Sequence, residues 1–431
     1  MPEMFKKSCV VLAAALMAAS MWIWVQRIAI PYQVSQANAK GIPRGNLSDL
    51  YPRWLGAREL LVHGRDPYGS DVTREIQVGY YGRAIDSDRP NDPKDQQAFA
   101  YPLYIVFLLA PTIGLPFPVV QKIVLGLLVL LTAASVLFWL RALGWRISAA
   151  WQLVWILLVT GCFPAIQAFM LQQLTLLVAA LVAASLYCIV RQRLVMAGGL
   201  LALSAIKPQL VVLIIASLCL WVFGNWKERQ RLFWSFAAVM AMLVVGGEFL
   251  RPGWIREFRL AVAAYYQYTG GGQSVLSVSL TPLWGKLASA IVVCVLFVVL
   301  WKVRHAASDS SDFCWAFSLV LAITLLIVPM YAPYNQLLLV PGLLLIAQRI
   351  QPLWKRNLVS RFLITLTALA VFWPWVAAGA LAAALLFLPG STVEKAWPLP
   401  LLTTLAIPVT TVATLIAGRS LLQRKDLASP S

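Results

Sequence analysis

Long apolar runs alternate with short basic loops along almost the whole chain. Runs near 8–29, 100–115, 118–140, 147–162, 166–190, 195–207, 208–224, 231–250, 284–302, 313–330, 334–348, 359–388 and 398–418 are apolar enough to enter a bilayer. A helix of about 20 such residues is what crosses one. The pattern predicts an all-α, polytopic transmembrane helical bundle of about 11–13 membrane segments, forming a single integral membrane domain over 1–431. Two polar stretches stand outside it as external loops, 31–98 and 251–282.

Two runs do not fit the alternation. The run 100–115 is short and carries Pro102 and Pro111, with Pro116 and Pro118 just beyond, which predicts partial insertion. A full span there would break parity if the loop 31–98 is external and Arg141 and Arg146 are cytoplasmic; the alternative, with both arginines outside, stays open. The split at Lys207-Pro208 leaves two halves too short for comfortable spans, so it reads as a broken or re-entrant pair.

In the first external loop, Leu50, Trp54, Ala57 and Leu61 follow the spacing of one helical face, and Gly64 is a plausible stop. That predicts an amphipathic helix on the membrane surface. Trp254, Phe258, Ala261 and Tyr265 repeat the spacing in the second loop, beside Arg256 and Arg259. Two juxtamembrane helices would flank the external opening.

Composition narrows the function classes. The net charge of +18 would suit a nucleic-acid binder, but the cations sit in loops between apolar spans, at Arg191/Arg193, Lys227/Arg229/Arg231, Lys302/Arg304, Arg349/Lys355/Arg356 and Arg419/Arg424/Lys425. That is the pattern of cytoplasmic loops touching anionic membrane lipids, and it excludes nucleic acid as a partner. It also sets the regions around Gln172, Pro208, Trp254, Tyr334 and Glu394 on the external side. The six cysteines (Cys9, Cys162, Cys188, Cys219, Cys294 and Cys314) show no metal or redox spacing and read as packing residues. With only His63 and His305, a histidine-rich metal site is excluded, and neither metal nor cofactor is expected. Lys6 and Lys7 before the run Cys9 to Val25 resemble a signal sequence, with Gln36-Ala37-Asn38-Ala39 as a weak cleavage pattern. An uncleaved anchor is favoured, with Trp22 and Trp24 as interface anchors.

Nine of the seventeen acidic residues lie between Asp49 and Asp95, so chemistry is sought there first. Asp49 opens the first surface helix. It is either a helix cap or a general base, held at the membrane boundary to take a proton from an attacking hydroxyl. Glu59 reads as the partner of a nearby arginine, and Asp66 as a turn residue before Pro67. Asp86-Ser87-Asp88 spells a DxD metal pattern, but within a run from Arg89 to Asp95 that reads as a solvated loop. Lys207, inside an apolar segment, either snorkels to the interface or presents a cation to a lipid-linked phosphate. Gln172, Gln173 and Thr175, with Tyr334, Asn335 and Gln336, add uncharged polar groups on the same side. A shared polar cavity accounts for them together better than separate interhelical bonds.

The order of these features resembles glycosyltransferase family 87, in the multispanning GT-C superfamily. The matching segments are SDLYPRWLGARELLVHGRDPY from Ser48, FAYPLYIVFLLAP from Phe99, FMLQQLTLLVAALVAASLY from Phe169, AGGLLALSAIKPQLVVLI from Ala197 and PMYAPYNQLLLVPGLLL from Pro329. The resemblance implies an inverting transfer of a mannose-like hexose or arabinofuranose-like pentose from a polyprenyl-phosphate donor. The acceptor would be a lipid or glycan at the external face of a bacterial inner membrane. It implies Asp49 as the base. On this reading Lys207 and Arg256 hold the donor phosphate, and Gln172, Gln173, Tyr334 and Asn335 line the sugar and acceptor pocket. The chain departs from the expected pattern at Gln172-Gln173, where a Gly-Gln pair is expected, and at Asn335, where some members carry histidine. The competing classes are an isoprenoid-lipid transporter or flippase without transferase activity, and an envelope scaffold.

Overall fold

The computed structural model describes residues 2–42, 48–86, 88–268, 272–329 and 331–423. The sequence positions Ser87, Arg424 and Lys425 raised above lie outside the described residues. The described residues are helical throughout, joined by turns and loops, and form a polytopic bundle of GT-C type. Among the described residues, six helical segments are long and apolar enough to cross a membrane: Lys6–Ala39, Phe117–Ala142, Trp226–Leu250, Pro282–Val303, Leu358–Ala384 and Gly390–Ala417. Two bent pairs raise the number to eight, Ala149–Thr160 with Phe163–Met170 at 59° and Pro333–Gln348 with Ile350–Arg356 at 68°. Four shorter apolar helices complete the set: Thr175–Val190, Leu194–Ser204, Pro208–Gly224 and Ser311–Ile327.

Proline marks where many of these helices begin. Pro52, Pro118, Pro164, Pro208 and Pro282 all stand in the first turn, where a missing N–H costs no intrahelical bond. Trp226–Leu250 and Pro282–Val303 are only 11% buried over their most apolar windows and expose Met242, Phe249, Trp284 and Ile291. So much apolar surface is stable only against lipid, which makes the chain a multi-pass membrane protein.

Several sequence expectations change on folding. The run 166–190 is not one span: it breaks between Met170 and Thr175, and Gln172 turns the chain with φ 46°. In line with the partial insertion expected of it, the run 100–115 forms only the short helix Ile105–Leu109 and a 3-10 turn, too short to cross a bilayer. Trp24 is not an interface anchor. It is fully buried in a second apolar cluster with Met21, Ile28 and Trp375, edge-on to Phe163 at 5.4 Å. Arg229 does not reach lipid either. It folds inward over Trp221 and donates to the carbonyls of Trp221, Arg304 and Ala306 at 2.7, 2.8 and 2.9 Å.

The first of the two predicted juxtamembrane helices, Tyr51–His63, ends at Gly64 in the left-handed conformation that glycine adopts freely. Its apolar side packs on protein instead of lying on lipid. Trp54 sits 5.2 Å from Phe117, and a Cβ on Gly56 would stand 2.4 Å from the Phe99 ring. The next helix, Ser70–Tyr81, docks so closely that a Cβ on Gly79 would meet the Tyr51 hydroxyl at 2.0 Å. These two contacts bring Tyr80 and the loop Asp95–Tyr101 beside Asp49.

Candidate functional site

Asp49 does not cap the helix it precedes. Leu50 is the N-cap, with no side-chain capping bond, and Ser48 Oγ accepts from the Leu50 N–H at 3.3 Å. The Asp49 backbone N–H instead donates to Leu171 O at 2.9 Å, which docks the start of this helix on the turn at Gln172. The carboxylate is thereby left for other partners. Gln173 Nε2 donates to Oδ2, and Tyr80 OH lies 3.4 Å from Oδ1. Burial, and then the Asp49 charge, raise the Tyr80 phenol above its ordinary range, so it stays a protonated donor.

From Gln173 the network runs inward. Lys207 Nζ donates to Gln173 Oε1 and, at 2.8 Å, to Thr175 Oγ1; Thr175 in turn donates to Asn335 Oδ1 at 3.1 Å. The ammonium lies 5.2 Å from the centre of the Tyr334 ring. Lys207 is 5% exposed, so it does not snorkel to the surface. Its place follows from the helix breaks: Thr175 opens one short helix, and Lys207 immediately precedes Pro208, which opens another. Two helix N-termini, each carrying a partial positive charge, therefore meet at one lysine. That combination suits an anion such as a phosphate.

Five of these groups line one cavity of about 690 Å³. Asp49, Gln173, Lys207, Tyr334 and Asn335 are all on its wall. Two of the sequence candidates are not. Gln172 is turned away, donating to Phe169 O and Met170 O and accepting from Gln121 Nε2. Arg256 is exposed and lies off the face of the helix Trp254–Tyr268 that meets the cavity; that face carries Phe258, Arg259, Val262 and Tyr265. Glu59, Asp66 and Asp86 make structural contacts away from the cavity. Glu59 pairs with Arg65 at 2.6 Å, Asp66 accepts from Tyr68 N–H and Arg251, and exposed Asp86 holds Arg89 at 3.5 Å.

Sequence reasoning missed several wall residues, four of them charged or stacked beside Asp49 and Lys207 or along the same wall. Arg53 lies one turn beyond Asp49, donates to the Asp49 carbonyl and covers the Tyr101 ring at 4.3 Å. Arg53 and Tyr101 both sit inside segments quoted for the family resemblance, which was the available signal. Arg259 was noted only as a neighbour of Arg256. Asp95 ends the acidic run read as a solvated loop, yet it lines the cavity. Burial, followed by the Asp49 charge, holds its carboxyl above the usual carboxylate range.

The wall thus joins carboxylates, cations and tyrosines across residues from Asp49 to the late Pro-Tyr-Asn turn. Such a site can take a proton at Asp49 while holding an anion near Lys207. The family model described as Glycosyltransferase family 87 matches residues 99–329, just over half the chain. Tyr101, Gln173, Lys207 and Arg259 fall within the matched segment; Asp49, Arg53, Tyr334 and Asn335 fall outside it. No curated protein and no solved structure matches the chain.

Proposed function

We propose, from the premise that the chain belongs to glycosyltransferase family 87, that it moves a hexose or pentose from a polyprenyl-phosphate donor to a lipid or glycan acceptor. The site would face the external side of a bacterial inner membrane, opposite the basic loops. The observation that carries this reading is the Asp49–Gln173–Lys207 bridge on the wall of one cavity.

Asp49 accepts the proton of the acceptor hydroxyl as its oxygen attacks the anomeric carbon. The bond from that carbon to the phosphate oxygen breaks, the electron pair leaves with the phosphate, and the anomeric centre inverts. The products are the glycosylated acceptor and polyprenyl phosphate. Lys207 and the two helix N-termini stabilise the charge on the leaving phosphate. Arg259, on the cavity wall, takes the supporting role expected of Arg256. Tyr334 and Asn335 flank the sugar, and Gln173 keeps both charged groups in place.

The test is turnover in proteoliposomes, with a panel of polyprenyl-phosphate sugars, a host lipid extract and mass spectrometry of products. Sugar-modified product and free polyprenyl phosphate from the wild type, but not from Asp49→Asn, support the reading. Donor binding without turnover under every acceptor condition would favour a lipid transporter.

A further inference from the structure

Asp95 has no role in the transfer step described above, yet the fold places its carboxylate in the same cavity as Asp49. Its position is held from three directions. Tyr81 OH donates to its carbonyl at 2.7 Å, the Gln97 N–H donates to Oδ1 at 3.0 Å, and Gln97 Nε2 donates to Oδ2 at 2.9 Å. Gln97 adopts φ 50° to do this, a left-handed conformation that a side chain bearing a Cβ enters at a cost. An ionised carboxylate offers about four acceptor positions, and Gln97 occupies two. Among the described residues Asp95 has no ion-pair partner, so its remaining capacity is directed to the cavity.

The two ends of the cavity differ in charge. From Asp49, Gln173 leads to Lys207, Thr175 and Asn335 within the bundle. Asp95 belongs to the external loop, and the charged groups acting on it are Asp49 and Arg53. A carboxylate repels a phosphate, so the Asp95 end does not hold the donor head. Inverting displacement brings the hydroxyl to the face of the sugar opposite the leaving phosphate, which assigns the Asp95 end to the acceptor. Tyr265, within electrostatic reach of Asp95, lines that part of the wall, and Tyr266 lines the same cavity from the same helix; they offer ring faces and hydroxyls to a ligand that is apolar on one side and polar on another.

We propose that Asp95 is an acceptor-positioning residue: it accepts hydrogen bonds from hydroxyls next to the reacting one, and so selects acceptors with several hydroxyls, a sugar or polyol head, over simple alcohols. The inference rests on the transferase reading. Asp95 moves no proton in the reaction; a single-hydroxyl acceptor would engage Asp49 and leave Asp95 without a partner.

The experiment compares wild type, Asp95→Asn and Asp95→Glu in proteoliposomes, with a polyprenyl-phosphate sugar donor and an acceptor panel of octyl mannoside, octyl glucoside, octyl arabinoside and octanol. The expected result is that the wild type uses at least one glycoside and neglects octanol. Asp95→Asn then raises the glycoside KM about tenfold or more, the loss expected for a charged hydrogen-bond acceptor. Its kcat stays within about threefold, since the reacting atoms are untouched. Asp95→Glu recovers part of the affinity, and the melting temperatures of both variants show that the fold persists. An unchanged KM in Asp95→Asn, a loss confined to kcat, or equal use of octanol by the wild type would overturn the role. No transfer by the wild type to any acceptor would instead sink the transferase reading, and this inference with it.

Discussion

Asp49 and Lys207 are joined through a single amide: the Gln173 nitrogen donates to the carboxylate and its oxygen accepts from the ammonium. The bridge keeps opposite charges in one cavity without letting them collapse into a direct ion pair. Space is thereby left beside each for a substrate atom, and each retains a group that fixes its orientation.

Asp49→Asn tests the base. The asparagine keeps nearly the same shape and can reorient its amide toward Gln173, so the protein is expected to fold with little change in melting temperature. Turnover is expected to fall by about 10²–10⁴, the usual contribution of a positioned base. A folded variant that transfers sugar at the normal rate would remove Asp49 from the mechanism.

Lys207→Gln tests the phosphate role. Removing the charge deletes a charge-assisted contact worth about 1.5–3 kcal/mol, so the donor KM is expected to rise at least about tenfold. The neutral amide also spares the bundle a buried ammonium, which limits the loss of stability. Equal donor affinity in both proteins would contradict the assignment.

Gln172→Gly addresses the departure from the expected Gly-Gln pair. Gln172 holds φ 46°, which costs a residue with a Cβ about 1–2 kcal/mol and glycine almost nothing. The substitution gives up the side-chain bonds to Phe169 O, Met170 O and Gln121. Because strain relief and lost bonds offset, melting temperature and turnover are both expected to stay close to wild type. A large loss of turnover in a stable protein would mean that Gln172 has a part in the site which its geometry does not suggest.

Arg229→Lys probes the inward-folded cation. The guanidinium reaches carbonyls from two segments while lying 3.9 Å over Trp221, and an ammonium cannot reproduce that planar fork. A loss of about 1–3 kcal/mol is expected from buried carbonyls left unpaired, read as a lower melting temperature with unchanged substrate KM. A stability equal to wild type would show that charge alone matters there.

Much of the architecture was legible in the sequence because crossing a bilayer is a one-dimensional requirement: enough consecutive apolar residues, bounded by loops of the right charge. The runs 118–140, 208–224 and 284–302 correspond closely to Phe117–Ala142, Pro208–Gly224 and Pro282–Val303. The pairing of Glu59 with an arginine and the turn at Asp66 were also readable, since both are local in sequence.

Apolar runs do not encode how far each helix is rotated or where two breaks come to lie together. Asp49 meets Gln173 across 124 positions, and Thr175 meets Asn335 across 160. Whether Asp49 caps a helix or faces a cavity, whether Trp24 and Arg229 point to lipid or inward, and whether Arg256 or Arg259 reaches the wall all depend on packing between elements. Hydropathy fixed which segments enter the membrane, because lipid penalises every unpaired polar group. The tertiary structure alone decided which polar groups share a cavity, because that depends on close contacts such as those of Gly56 with Phe99 and Gly79 with Tyr51.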